Sequence, residues 1–150
     1  MIPPFGHATF RVNDGIYLVG GENDAGGVRD VIETTRDATT LAVNGWATVG
    51  TLTTTTSFPA AFVHAGQAWV VGGLDGGRAT GAASTRVSRT DIGTDGHLGS
   101  FARVAGHDLP IALAASAVAY DEPTGHVYLV GGLTGEPLAA TSAVVVGTLP

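Results

Sequence analysis

The sequence contains no cysteine and no lysine, and only 13% of its 150 residues are charged. Without cysteine, disulfide bonds and thiolate chemistry are excluded, and the compartment stays open. All seven cations are arginines, which leaves a formal net charge of −6 and no basic cluster. Because nucleic acids and anionic membranes are recognised through clustered positive charge, we expect neither as a partner.

Long hydrophobic runs and a leader-like N-terminus are absent as well. No apolar stretch reaches the length of a membrane-spanning helix, so we predict no membrane insertion. The first ten residues, MIPPFGHATF, have neither the basic region nor the apolar core of a signal peptide. Two alternatives follow, synthesis without Sec export or a leader outside this sequence, and the localisation stays open between them.

Glycine is abundant, at 23 of 150 residues, and threonine and alanine are frequent. This composition favours short strands and tight turns over helices. By length the chain is one domain, or a few small repeated units.

One phrase occurs three times, as GIYLVGG (15–21), QAWVVGG (67–73) and HVYLVGG (126–132). We predict that each phrase is the second strand of a hairpin, because turn residues precede it and the dense apolar run suits a buried strand. The predicted turns lie at 13–15, 65–67 and 121–125.

Further strands are predicted after each phrase. The third strands are expected at 31–38, 84–92 and 141–149. Aromatic residues lead two fourth strands, Trp46 in 45–50 and Phe101 in 99–106, whereas the third repeat has no fourth strand. The pattern is therefore four strands, four strands and three.

The glycine pairs invite a structural explanation. A backbone at a crowded contact between repeats has no room for a Cβ and must turn sharply, and glycine meets both demands. The alternative is that a glycine pair simply ends a strand, which three regular occurrences disfavour. The pairs are Gly20 and Gly21, Gly72 and Gly73, and Gly131 and Gly132.

The runs of two apolar residues and two glycines at 18–21, 70–73 and 129–132, followed by Trp46 and Phe101, resemble the kelch-repeat family of β-propellers. The stretch DIGTDGHLGSFARV (91–104) is similar to a linker of bacterial kelch proteins. The chain departs from the family in lacking its tyrosine between glycine pair and tryptophan.

This resemblance implies an all-β fold whose blades are four-stranded antiparallel sheets around a channel. Residues 1–150 would form a single propeller segment of three blades, the last incomplete. Blade boundaries are expected at about 3–52, 57–106 and 109–150.

Three blades cannot close a ring, since propellers use about four to eight. We therefore predict a homo-oligomer, most simply a dimer of six blades whose ends meet head to tail around a twofold axis. The alternative is a fragment of a longer protein, and the initiating methionine and regular repeats favour a complete short gene.

Catalytic and metal sites are not predicted. The five histidines, His7, His64, His97, His107 and His126, show no metal-ligand spacing and are expected in solvated turns and strands. His107 and Asp108 could be half of an acid–base site, but turn or capping duty is the better interpretation. The copper chemistry of galactose oxidases, which are kelch proteins, needs a cysteine-crosslinked tyrosine and is excluded. We expect no cofactor.

Polar loops follow the glycine pairs and should gather at one end of a propeller. They are the candidate binding surface for a protein or glycan, or else a solvated rim. Their candidate residues are Glu22, Asn23, Asp24, Asp75, Arg78 and Glu136.

Two function classes remain. The first is a non-enzymatic binding and structural module, a half-propeller that presents loops to a protein or glycan partner, as in a phage virion or cell-surface component. The alternative is a small sugar-active enzyme resembling the sialic acid mutarotases among kelch proteins. Charged residues in loops rather than on inner strands favour the first.

Overall fold

The computed structural model describes residues 5–37 and 39–149, and these residues form strands and turns without a helix. The described part therefore contains no helix long and apolar enough to cross a membrane. The chain is all-β, with several small antiparallel sheets, none of them closed.

The strands in chain order are β1 (Ala8–Val12), β2 (Gly15–Val19), β3 (Glu22–Asn23), β4 (Gly26–Gly27), β5 (Asp30–Thr35), β6 (Ala47–Thr51), β7 (Thr56–Ser57), β8 (Ala60–His64), β9 (Gln67–Val71), β10 (Leu74–Asp75), β11 (Ala82–Ala83), β12 (Val87–Asp91), β13 (Ala102–Arg103), β14 (Ala117–Asp121), β15 (His126–Val130), β16 (Leu133–Thr134), β17 (Ala139–Ala140) and β18 (Val144–Thr148).

Three principal sheets follow one another along the chain. Sheet I has the order β1-β2-β5-β6, sheet II has β8-β9-β12-β13, and sheet III has β14-β15-β18. Each begins with a hairpin whose second strand is one of the repeated phrases. Three minor sheets, β3-β4, β7-β10-β11 and β16-β17, include strands that follow the glycine pairs.

The hairpin turns lie where the turn residues predicted them. Asn13 and Ala65 adopt positive φ angles of 51° and 48°, and Gly66 and Gly125 adopt 75° and 69°. Such angles suit Asn and Gly, and they let a short turn match the twist of the flanking strands.

Two apolar cores lie between the principal sheets. The first core joins sheets I and II and includes Phe10, Tyr17, Val19, Val70 and Phe101. The second core joins sheets II and III and includes Phe62, Trp69, Val71, Leu129 and Val145. Alternation along each strand sends every second side chain to one face, so sheet II contributes to both cores.

Register makes positions in the three sheets equivalent. In the second strands, Tyr17 pairs with Glu33 on the third strand, Trp69 with Arg89, and Tyr128 with Val146. These three pairs occupy the same place in sheets I, II and III.

The strand bounds differ from the sequence predictions in detail. The third strands are shorter than predicted, and the second of the fourth strands has only the two residues of β13. Apart from β7, the minor strands lie in or directly beside the segments predicted as polar loops. Two-residue pairings in glycine-rich sequence carry no alternation, which is why the pattern does not reveal them.

Gly20 and Gly72 lie at contacts between successive repeats. Both have a left-handed backbone, with φ of 65° and 64°, and a Cβ would clash with the carbonyl oxygen of Thr56 or of Leu113 respectively. Gly131 has the same φ, 63°, but the nearest atom to its Cβ would be Thr141 O at 3.4 Å. Only the first two are therefore crowded by a following segment.

The two fourth-strand aromatics differ in their surroundings. Each directly precedes the fourth strand of its sheet, and Phe101 is buried in the first core. Trp46 is only half-buried. Phe101 has sheet I to pack against, whereas the equivalent face of sheet I has no preceding sheet in the described chain.

Candidate binding loops and exposed sheet faces

Two of the predicted loop residues contact each other. Glu22 is buried; its Oε2 accepts a hydrogen bond from the backbone N–H of Arg78, and its Oε1 lies 3.6 Å from Arg78 Nε. The Arg78 guanidinium also lies 5.4 Å from the Phe5 ring centroid. This carboxylate therefore fastens the loop after β10 to the hairpin β3-β4.

Asp75 is engaged in a second ion pair. Its carboxylate accepts hydrogen bonds from both terminal nitrogens of Arg86, the second at 3.0 Å. Arg86 also donates to Thr54 Oγ1 over 2.8 Å. The pair ties the loop to the start of the third strand of sheet II.

The remaining predicted loop residues are exposed. Asn23 accepts a hydrogen bond from the N–H of Ala25 over 2.9 Å, which shapes the tip of the β3-β4 hairpin. Asp24 follows it at that tip, and Glu136 lies in the separate β16-β17 hairpin. The structure thus brings together Glu22 and Arg78 but leaves Asn23, Asp24 and Glu136 facing solvent.

Sequence reasoning missed a polar cluster at the other end of the hairpins. The Tyr17 hydroxyl donates to Glu33 Oε1 over 2.8 Å and lies 3.2 Å from the carbonyl oxygen of Gly96. Burial and the hydrogen bond to Glu33 raise the pKa of Tyr17 above its ordinary value. His97 Nδ1 lies 3.5 Å from Glu33 Oε2.

This cluster joins sheet I to the linker before β13. The pairing of Tyr17 with Glu33 depends on the register of β2 against β5, and no sequence signal places residues 96 and 97 beside them. His97 itself is exposed, as predicted for the histidines.

The other described histidines do not converge. His64 lies 4.7 Å from Tyr120 between ring centroids, and His107 is exposed next to Asp108, which pairs with Arg103. No group of three or more potential metal ligands occurs among the residues that the structure describes.

Sheet III exposes a face that is buried in the other sheets. Val19, Val71 and Val130 are equivalent, yet their exposed fractions are 0%, 5% and 46%. Val144, on the neighbouring strand of sheet III, is 58% exposed. Val146 on the same strand is also exposed, so an apolar patch remains where sheets I and II each receive a following sheet.

A pair of positions links each sheet to the next. The first of these positions is the last residue of the first strand in each sheet, which is Val12, His64 or Asp121. The second is the residue before it, which is Arg11, Val63 or Tyr120. Val12 and Val63 belong to the first core, and His64 contacts Tyr120 at the next sheet contact. Of these six residues, Asp121 on sheet III and Arg11 on sheet I are the two that belong to neither of these contacts between sheets.

A cavity of about 250 Å³ lies between sheets II and III. Its walls are apolar and come from both sheets, and His107 and Asp108 lie at its margin. From sheet II come Phe62, Trp69, Val71 and Val87, and from sheet III come Val127, Leu129, Val145 and Gly147.

These features define an all-β chain of stacked antiparallel sheets with an open face at its end. No protein-family model and no curated protein match the chain. Among solved structures, 123 chains are similar to it. One, described as the structure of YjhT, has a TM-score of 0.66 at 17% sequence identity. The similarity covers 89% of this chain and 35% of that chain, so the present chain spans about a third of its length. The likeness shows the fold alone.

Proposed function

We propose that the chain is a non-enzymatic binding and structural module that pairs head to tail with a second copy. Each principal sheet would serve as a kelch-like propeller blade. Two copies would supply six blades, which lies within the range that closes a ring. The loops after the glycine pairs would then face a protein or glycan partner.

The exposure of Val130 and Val144 carries this proposal. Their equivalents in sheets I and II are covered by the following sheet, so the same stacking would cover them if sheet I of a second copy lay on sheet III. Burying apolar side chains of this kind contributes about 25 cal/mol for each Å² removed from water.

Charge complementarity supports the same arrangement. If sheet I of a second copy lies on sheet III in the way that sheet II lies on sheet I, Asp121 is opposite Arg11 of that copy. These two positions correspond to Val12 and Val63 in the contact between sheets I and II. Within one chain Arg11 forms an ion pair with exposed Asp14 at 3.5 Å, and its Nε donates to the carbonyl oxygen of Asn13. Such a surface pair is weak, so Arg11 can exchange it at little cost.

The native mass tests the proposal. Light scattering or native mass spectrometry is expected to give twice the 15.0 kDa chain mass. Arg11→Asp and Asp121→Arg should each shift the protein towards monomer, and the double variant should restore the dimer. Arg103→Asp, which removes an exposed arginine on β13, is the matched control and should leave the mass unchanged. A monomer at every concentration tested would refute the pairing.

The binding role needs a separate measurement. A glycan array run beside a sugar mutarotation assay distinguishes a binding module from a sugar-active enzyme. We expect array binding that weakens on Asp24→Asn or Glu136→Gln, without turnover. Turnover that survives both loop substitutions would contradict the non-enzymatic assignment.

A further inference from the structure

The cavity between sheets II and III occupies the place that Phe101 fills between sheets I and II. In the first core, Phe101 belongs to the same buried cluster as Phe10, Tyr17 and Val19 of sheet I. Their equivalents in sheet II are Phe62, Trp69 and Val71, and all three line the cavity. These three wall residues of sheet II therefore correspond position by position to the three residues of sheet I, and the cavity lies where an aromatic equivalent to Phe101 would be expected.

The register shows where the missing group would enter. Phe101 directly precedes Ala102, which pairs with Arg89. The position equivalent to Arg89 in sheet III is Val146, so the corresponding aromatic would sit beside Gly147. A Cβ at Gly147 would meet no atom within 4 Å, so the space beside this residue is open.

The outer edge of β18 offers a backbone to pair with. In the described chain β18 pairs with β15 alone, and sheet III has no fourth strand. An exposed strand edge presents N–H and C=O groups that an added strand can pair with. Sheets I and II fill this place with β6 and β13 respectively.

The surroundings of Trp69 and Arg89 indicate which polar groups the added strand should supply. Tyr17 reaches the carbonyl oxygen of Gly96, whereas the indole N–H of its equivalent, Trp69, is buried without a hydrogen-bond partner. Glu33 faces His97, whereas its equivalent, Arg89, carries the opposite charge and lies 5.4 Å from the Trp69 ring centroid. The missing segment should therefore supply a carbonyl for Trp69 and an acidic side chain for Arg89.

We propose that the cavity and the edge of β18 bind an extended polypeptide segment that carries an aromatic anchor. The segment adds a fourth strand to sheet III and inserts its aromatic side chain beside Gly147. An acidic residue four positions before the anchor, in the place of His97, pairs with Arg89. The volume suits a ring, since a cavity of about 150 Å³ accommodates benzene. The site lies within one chain and does not depend on pairing with a second copy.

The chain's own linker provides the probe. A synthetic peptide of residues 94–106 with His97→Glu should bind, as measured by calorimetry and by Trp69 fluorescence in a Trp46→Phe background. The same peptide with Phe101→Ala should bind at least about tenfold more weakly, because it lacks the anchor. Gly147→Leu in the protein should weaken binding by a similar factor, since its side chain would enter the cavity.

A charge exchange separates this site from non-specific adhesion. In Arg89→Glu protein, the peptide that retains His97 should bind more tightly than the His97→Glu peptide at about pH 6, where histidine is largely protonated, reversing the wild-type order. Equal affinity of wild-type protein for the His97→Glu peptides with and without the Phe101→Ala substitution would overturn the proposal. Binding of benzene without binding of either peptide would overturn it too, and would mark the cavity as a small-molecule pocket.

Discussion

The Tyr17 hydroxyl donates to the Glu33 carboxylate over 2.8 Å, and the two residues are direct cross-strand partners in sheet I. Tyr17 is 1% exposed. Removing its hydroxyl leaves Glu33 without this donor, and we expect Tyr17→Phe to lower the free energy of unfolding by about 1 kcal/mol at about pH 8. Denaturant titration measures the change.

The same pair predicts a dependence on pH. Burial and Glu33 raise the pKa of Tyr17 in the folded state above its value of 10.0. Its contribution to stability is thus complete below about pH 10 and is lost as the pH rises towards the folded pKa, because the unfolded chain releases the proton first. The difference between wild type and Tyr17→Phe should shrink by about 1 kcal/mol between about pH 10 and pH 11. A constant difference would contradict this assignment.

The repeated glycines provide a matched set of substitutions. Gly20→Ala and Gly72→Ala combine left-handed strain with a clash against a backbone carbonyl, whereas Gly131→Ala carries the strain alone. We expect Gly131→Ala to cost about 1 kcal/mol of unfolding free energy and the other two at least twice as much. Thermal unfolding of dilute protein would measure this, and equal costs would show that the backbone contacts do not matter.

The two fourth-strand aromatics should differ in a similar way. Phe101 is buried, so Phe101→Ala should lower the free energy of unfolding by about 3 kcal/mol. Trp46 is half-buried on a face without a preceding sheet, so Trp46→Ala should cost about 1 kcal/mol. Denaturant unfolding at low protein concentration distinguishes the two. A larger loss at Trp46 than at Phe101 would be inconsistent with the packing described.

The buried carboxylate of Glu22 should matter for loop order. Glu22→Gln weakens a charge-assisted hydrogen bond to the N–H of Arg78, and we expect about 1 kcal/mol less protection of that amide in hydrogen exchange. Asp24→Asn, at the exposed tip of the same hairpin, is the control and should leave the exchange rate unchanged. Equal effects of both would remove Glu22 from this role.

Hairpins were predictable because their information is local. Four apolar residues, a turn with Asn, Asp or Gly, and a glycine pair predict each of β1-β2, β8-β9 and β14-β15, and the structure places all three hairpins there. The short strands β3, β4 and β16 were not predictable. They depend on two-residue pairings, which leave no periodic pattern.

For the candidate site residues too, local features were predictable from the sequence and long-range contacts were not. The loops containing Glu22 and Arg78 could be named from the sequence, yet their ion pair depends on bringing together residues 56 positions apart. Glu33 was not named from the sequence, and His97 was named only as a solvated histidine, because the linker of sheet II reaches sheet I only in the folded chain.

The sequence by itself determined the β-strand class, the three hairpins and their turns, because alternation and turn chemistry act over a few residues. Tertiary structure alone decided which equivalent positions are buried. Val71 and Val130, or Phe101 and Trp46, occupy like places in their repeats, and what separates them is whether another sheet lies against that face. Burial is a property of neighbours in space, and no single repeat contains it.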